Sequence, residues 1–269
     1  MRIGIAYSTT YRYDDPARAI LQLLRVTPRP HEGQQVIRWR IDADADVRLR
    51  WSEDAFGNIV HALQIERPTD TLTVSVRGEI ATEDRAGVVR GSVERLPIEA
   101  YLRTTRLTQA DARIAALAHD CDPGESATRI KRLHELLHAV ADRMTFDTEA
   151  TGVGATAAEA LELGRGVCQD HAHVFISAAR TLGFPARYVS GHLLRYDHTS
   201  QQAAHAWGEA YVAELGWVGF DPANRQCPND AYVRVAFGLD YQDAAPVRGA
   251  RTGGGEERMS VSLQVQSQG

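Results

Sequence analysis

Along the first hundred residues, apolar and polar positions alternate with a period of two. Ile3, Ile5 and Tyr7 alternate with small or polar neighbours. Val47, Leu49 and Trp51 alternate with Arg48, Arg50 and Ser52, and Leu72, Val74 and Val76 repeat the pattern. Such alternation puts every second side chain on one face of a strand. The turn residues Asp54 to Asn58, followed by Ile59 to Ile65, predict a hairpin closed by a longer loop. Pro16, Pro28, Pro30, Pro68 and Pro97 punctuate the region. The expectation is an antiparallel β region over residues 1–104.

After about residue 105 the period changes to three and four. Thr108, with Asp111 three residues on, resembles a capping box before the Ala-rich run ARIAALAH. Asp122-Pro123-Gly124-Glu125 offers a second helix start with Pro at the first helical position. Behind it Ile130, Leu133, Leu137, Val140 and Met144 form one apolar helical face. Thr156 and Glu159 open a third, shorter helix that Gly164 to Gly166 ends. A fourth follows Cys168 and stops at Gly183, before Pro185. Strand-like segments then run from Arg187 to Leu194, Ala204 to Val212 and Gly216 to Phe220. A Gly-rich stretch from Gly249 to Gly255 precedes a last alternating run, Met259, Val261, Leu263 and Val265. Residues 105–269 therefore read as an α+β unit with a C-terminal strand.

Composition narrows the classes. With 43% hydrophobic and 24% charged residues over 269 positions, the chain has enough apolar material to fold, which excludes a mainly disordered protein. The charge of −5 and the lack of a basic run argue against a nucleic-acid partner. Of the 30 basic residues only Lys131 is a lysine. No apolar stretch is long enough for a membrane helix, so no membrane partner is expected. The N-terminal MRIGIAYSTTYRYDDPAR lacks a secretory core. With an odd number of cysteines, this predicts a reducing, cytoplasmic location.

Three cysteines remain to be placed. Cys121, at the end of an Ala-rich helix, and Cys227, before Pro228, read as structural thiols. Cys168 follows Gly164-Arg165-Gly166-Val167 and opens a helix, where unpaired backbone N–H groups favour thiolate over thiol and can donate to an oxyanion. From that context alone it reads either as a nucleophile or as a buried structural thiol. A nucleophilic thiol needs an imidazole held by a third group. In Ala204 to Tyr211, a strand puts His205, Trp207, Glu209 and Tyr211 on one face and Ala206, Gly208 and Ala210 on the other. The nearly bare face suits close packing against another element. Gly216 to Phe220 ends in Asp221-Pro222, a carboxylate placed to accept from a neighbouring imidazole. A metal reading would draw on Cys168, His171, His173, His192 and His198. His171 and His173, however, lie about 200° apart on a helix, whereas helical metal pairs are spaced i, i+4.

Three segments then carry a resemblance: GRGVCQDHAHVFISAARTLGFPARYVSGH, AHAWGEAYV and GWVGFDPAN. In that order they closely resemble the core of the bacterial transglutaminase-like superfamily, of the kind described as cysteine proteases. The first residues, TYRYDDPARAILQLLRVTP, resemble its N-terminal β region, and VRVAFGLDYQDAAPVRGARTGGGEE its end. The resemblance implies a papain-like α+β core, with a helix-borne Cys against an antiparallel sheet. It implies Cys168 as nucleophile, His205 as general acid/base and Asp221 as the residue that orients it. His171 departs from the usual pattern and is expected to alter the cleft wall. Trp207 and Trp217 are candidates for substrate-cleft walls, with core packing the competing role for each. The expected chemistry is cleavage or transfer of amide acyl groups through a thioester, in a protein or peptide substrate and without a cofactor or metal. Hydrolysis is favoured because water is always available. A cross-linking transglutaminase and a non-catalytic binding protein are the alternatives. No calcium loop is visible, so calcium independence is expected.

Overall fold

The computed structural model describes residues 1–124, 127–195, 200–201 (backbone alone) and 204–268. The N-terminal strands are β1 Arg2–Thr27, β2 Gln34–Ala43, β3 Arg50–Glu53, β4 Ile59–Ile65, β5 Thr69–Thr82 and β6 Val88–Val89. Then come α1 Ala112–Cys121, α2 Arg129–Arg143, β7 Thr145–Phe146, α3 Ala157–Leu163, β8 Arg165–Gly166 and α4 Cys168–Thr181. The chain ends with β9 Ala186–Leu193, β10 Ser200–Gln201, β11 His205–Val212, β12 Gly216–Phe220, β13 Tyr232–Gly238, α5 Tyr241–Ala244, β14 Val247–Gly253 and β15 Glu257–Ser267.

The predicted alternation forms an eight-stranded antiparallel sheet organised by β1. Ile3 to Tyr13 of β1 pairs with β15, and Arg2 to Arg12 pairs with β5 on the other side. Its second half pairs with β14 and β4. The register shifts between Arg12 and Ala17, around Pro16, which has no N–H to give a ladder. The hairpin expected from Asp54 to Asn58 forms, with Trp51 opposite His61. Asp54 accepts from the backbone N–H of Phe56 and Asn58, which closes its loop.

The second sheet has five strands, in the order β13-β9-β11-β12-β6. The pairing departs from the expected division at residue 104. β6, from the N-terminal part, joins this sheet beside β12, while β14 and β15 return to pair with β1. The periodicity finds β12 and β15 but not β6 or β14, and it carries no information about their partners. Side-chain amides clip the two regions together along the edge strand β13. Asn58 donates to Phe237 O at 2.7 Å and accepts from Phe237 N at 2.9 Å. Gln34 does the same with Arg234 O at 2.9 Å and Arg234 N at 2.8 Å. Each amide thus imitates a strand partner and covers an otherwise open edge. A single hydrophobic core runs from Ile3 to Val265.

The helices agree with their apolar faces, but two begin elsewhere than expected. For α1 the cap is Asp111, which accepts from Arg113 N and Ile114 N; Thr108 instead bonds Thr105. For α2 the cap is Thr128, so the helix starts later than Pro123; Glu125 of the expected start lies outside the described residues. The capping box of Thr156 and Glu159 is formed, and Gly164 ends α3 in the left-handed region, at φ 67°.

Candidate active site

The site begins with a short parallel pair. β7 lies beside β8, which brings the chain back to the start of α4. Gly166 is required there, because an added Cβ would lie 2.8 Å from the Asp170 carboxyl carbon. With that space open, Asp170 Oδ2 accepts from Val167 N at 2.8 Å and from Thr151 Oγ1 at 2.6 Å. Burial raises the Asp170 pKa, against these two hydrogen bonds. Val167, the N-cap, has no side-chain acceptor for the N–H groups of the first turn; Asp170, at the third helical position, caps only the N–H of Val167 itself. Cys168 is the first helical residue and half-buried. Its own N–H sits in the first turn, where intrahelical partners are lacking and partial positive charge collects.

The bare face of β11 packs on this helix. A Cβ on Gly208 would lie 2.7 Å from Phe175 Cδ1 and 3.3 Å from Ile176 Cγ1, both of α4. The small residues therefore set how closely sheet and helix approach. The approach brings His205, the first residue of β11, against the Cys168 thiol.

His205 Nε2 donates to Asp221 Oδ2 at 2.6 Å. That leaves Nδ1 as the ring nitrogen free to serve the thiol. The carboxylate is completely buried, and the same oxygen accepts from Tyr232 Oη at 2.7 Å and Asn224 Nδ2 at 2.7 Å. Gln226 Nε2 in turn donates to Tyr232 Oη at 2.9 Å. Burial works to lower the His205 pKa, but the Asp221 charge, its hydrogen bond and the contact with Cys168 together push it up to about 10. Burial works to raise the Asp221 pKa, and His205 with the other donors brings it below the ordinary carboxylate value. A thiol, an imidazole and a buried carboxylate in this order can exchange a proton and form a thiolate, which is the requirement for attack on a carbonyl.

The other expected residues lie elsewhere. Trp207 is 2% exposed and packs edge-on against Tyr232, with ring centroids 5.4 Å apart. Trp217 is 4% exposed; its ring lies 3.8 Å from the Arg187 guanidinium carbon. Both rings occupy the interior and present almost no surface to a cleft. His171 is also buried, against the expectation that it alters the cleft wall: Nδ1 faces Val167 O at 2.9 Å and Nε2 faces Met144 O at 3.3 Å. His173 Nε2 accepts from Tyr241 N at 3.1 Å, and burial, with Arg180 nearby, lowers its pKa to about 3. Burial and the neighbouring His205 lower His192 to about 4. Among the described residues no three His, Cys, Asp or Glu side chains are placed to share a metal ion. His198 lies outside the described residues.

Asn224, Gln226 and Tyr232 were missed by the sequence reading. Asn224 ends the third quoted segment and was within its reach. Tyr232 lies eleven residues from Asp221 with no motif to join them. Also missed was the ion network behind the site. Glu209, completely buried, accepts from Arg187 Nε at 2.6 Å and Arg234 Nε at 2.7 Å. Burial works to raise the Glu209 pKa, but the two arginines bring it down to about 2.

Comparisons with known proteins agree with this architecture. Residues 3–81 match the bacterial transglutaminase-like N-terminal region, and residues 115–222 match the transglutaminase-like superfamily. An uncharacterized protein of Mycobacterium leprae is 30% identical, with 98% of each chain covered. A Mycobacterium tuberculosis protein, also uncharacterized, is 28% identical over 92% of this chain and 87% of its own. Among solved structures, the "Putative Cysteine Protease from Cytophaga hutchinsonii" is 21% identical, with a TM-score of 0.78 over 100% of this chain and 92% of the other. The expected α+β fold, with its helix-borne Cys against an antiparallel sheet, is borne out by this likeness.

Proposed function

The chain belongs to the transglutaminase-like superfamily, and on that premise we propose that it is a thiol enzyme that transfers amide acyl groups through a Cys168 thioester. In this reading Cys168 is the nucleophile, His205 the general acid/base and Asp221 the residue that orients the imidazole. The observation that carries it is the 2.6 Å bond from His205 Nε2 to Asp221 Oδ2, on an imidazole that also meets Cys168 at the start of a helix whose N-cap side chain has no acceptor.

His205 takes the thiol proton through Nδ1, and the sulfur attacks the amide carbonyl. The backbone N–H of Cys168 donates to the oxyanion that forms. The Asp221 charge and hydrogen bond favour the imidazolium once His205 has taken the thiol proton, so it carries the proton that the leaving amine or ammonia needs. Asp221 holds Nε2–H in place and balances the imidazolium charge. The bond from carbonyl carbon to nitrogen breaks and leaves a thioester on Cys168. Water, activated by the now neutral His205, hydrolyses it and releases the acid. The substrate class is a peptide, an isopeptide or a Gln side chain of a protein. All atoms in the cycle come from the substrate, water and these three side chains, so the rate is expected to be the same with added calcium and with chelator. Cys121, Cys168 and Cys227 are free, which suits a reducing compartment such as the cytoplasm as the proposed location.

Ammonia release and fluorescent-amine incorporation, measured side by side on a Gln-bearing protein, test the reading. The expected result is ammonia release in excess of incorporation, with both lost in Cys168→Ala. Dominant incorporation would replace water by an amine as the acceptor. Full activity in Cys168→Ala would remove the thiol mechanism altogether.

A further inference from the structure

We propose that Tyr232 is a positioning residue that sets the basicity of Asp221 and, through it, the pH at which His205 and Cys168 become active. The inference rests on the thiol reading above and deepens it. Asp221 Oδ2 carries three donors: His205 Nε2 at 2.6 Å, Tyr232 Oη at 2.7 Å and Asn224 Nδ2 at 2.7 Å. Asn224 N also approaches Oδ1, at 3.3 Å. The carboxylate is fully buried, so protein donors take the place that solvent would otherwise fill. Hydrogen bonds to a charged acceptor are about twice as strong as neutral ones.

Tyr232 is built for this single task. It is 5% exposed on β13, two strands away from β11, and its ring packs against both His205 and Trp207. Gln226 Nε2 donates to its oxygen, which leaves the phenolic hydrogen for Asp221. Burial and the neighbouring Asp221 charge raise the Tyr232 pKa, so the phenol stays neutral and donates throughout the working range. The charged and titratable groups that face this carboxylate and imidazole are His205 from β11, Tyr232 from β13, Cys168 from α4 and His192 from β9. His192 is held neutral by burial, so charge changes at the site are confined to the His205, Asp221 and Cys168 set.

Tyr232→Phe removes one oxygen and keeps the ring. Asp221 then loses a donor to its charged form and becomes easier to protonate. The acid limb of the activity profile is expected to move up by about one pH unit, with kcat lowered several-fold and KM unchanged. A role in packing alone would leave the profile where it is. Iodoacetamide alkylation of Cys168 against pH reads the same shift without any substrate. It therefore separates the two ideas: a Tyr232→Phe alkylation profile shifted from wild type, when the wild-type protein transfers no acyl group, keeps the positioning role and sinks the acyl-transfer reading. Coincident wild-type and Tyr232→Phe profiles, in both assays and with equal melting temperatures, would overturn the proposal. If Tyr232→Phe melts early, Gln226→Leu serves as the second variant. Without the Gln226 donor the phenol is a weaker acid and a weaker donor to Asp221, so a smaller shift of the same sign supports the role and no shift overturns it.

Discussion

The two sheets of this protein are built on different rules. In the N-terminal sheet the core-facing side chains of β1 and β5 are mostly apolar, with Thr9, Gln22 and Thr82 among them, and the other face is partly or fully exposed, so burial alternates along most of each strand. In the second sheet β9 and β13 are buried along their whole length, and β11 and β12 nearly so. One face of β11 is Ala206, Gly208 and Ala210, pressed on α4; the other carries Trp207 and Glu209 into the interior. The first sheet is stabilised mainly by apolar burial. The second includes fully buried charges, which are expensive unless paired and hydrogen-bonded. The region that bears the candidate site is thus the one in which charges must be mutually satisfied.

The largest expected effect is at Asp221. Asp221→Asn keeps the shape but removes the charge that holds the imidazolium, and an amide can donate to Nε2 and enforce the wrong tautomer. Turnover should fall on the order of 10³–10⁴-fold with little change in KM. Stability against pH should change as well. The His205 pKa is raised on folding, so its contribution is complete below about 6.5 and is lost as pH rises through about 10. Wild-type protein should therefore lose stability across that window, and Asp221→Asn should lose less, as read by denaturant titration at pH 6 to 10.

Next is Glu209→Gln, which leaves Arg187 and Arg234 buried beside a neutral amide. A cost of about 3–5 kcal/mol is expected from the loss of one partner of a buried ion pair. Glu209 has a lowered pKa, so its contribution is present above about 4.5 and is lost as pH falls through about 2. The difference between wild type and Glu209→Gln should therefore narrow under acid. A difference independent of pH would break the contrast between the two sheets.

Gly208→Ala comes third, at about 1–3 kcal/mol, because the new methyl meets Phe175 Cδ1 at 2.7 Å. Activity should fall with it, since the same contact sets the distance between α4 and β11. The smallest effect is expected on the wet face of the first sheet. Thr71→Ala, at an exposed position of β5, should change the stability by less than about 0.5 kcal/mol.

The same contrast explains what was legible in the sequence. Alternation reveals Ile3, Ile5, Tyr7 and Leu72 to Val76 because one face meets water. On β11 the telling pattern is size: small residues at 206, 208 and 210 announce close packing, and the structure supplies α4 as the partner. Cys168, His205 and Asp221 were found through local motifs, and the structure brings all three together. Tyr232 and Arg234 were invisible because what they touch is fixed by strand order and not by sequence spacing. Pairing of β14 and β15 with β1 escaped for the same reason. Trp207 and Trp217 look like cleft residues by type alone, yet burial makes them packing.

The central claim is a thioester on Cys168, and its most direct test is mass-spectrometric trapping. A set of peptides and isopeptides would be incubated with the enzyme, quenched in acid and digested. An acyl mass added to the peptide that contains Cys168, absent in Cys168→Ala and accumulating when water attack is slowed, is the predicted result. Turnover without any adduct on Cys168, and equal turnover in Cys168→Ala, would contradict it.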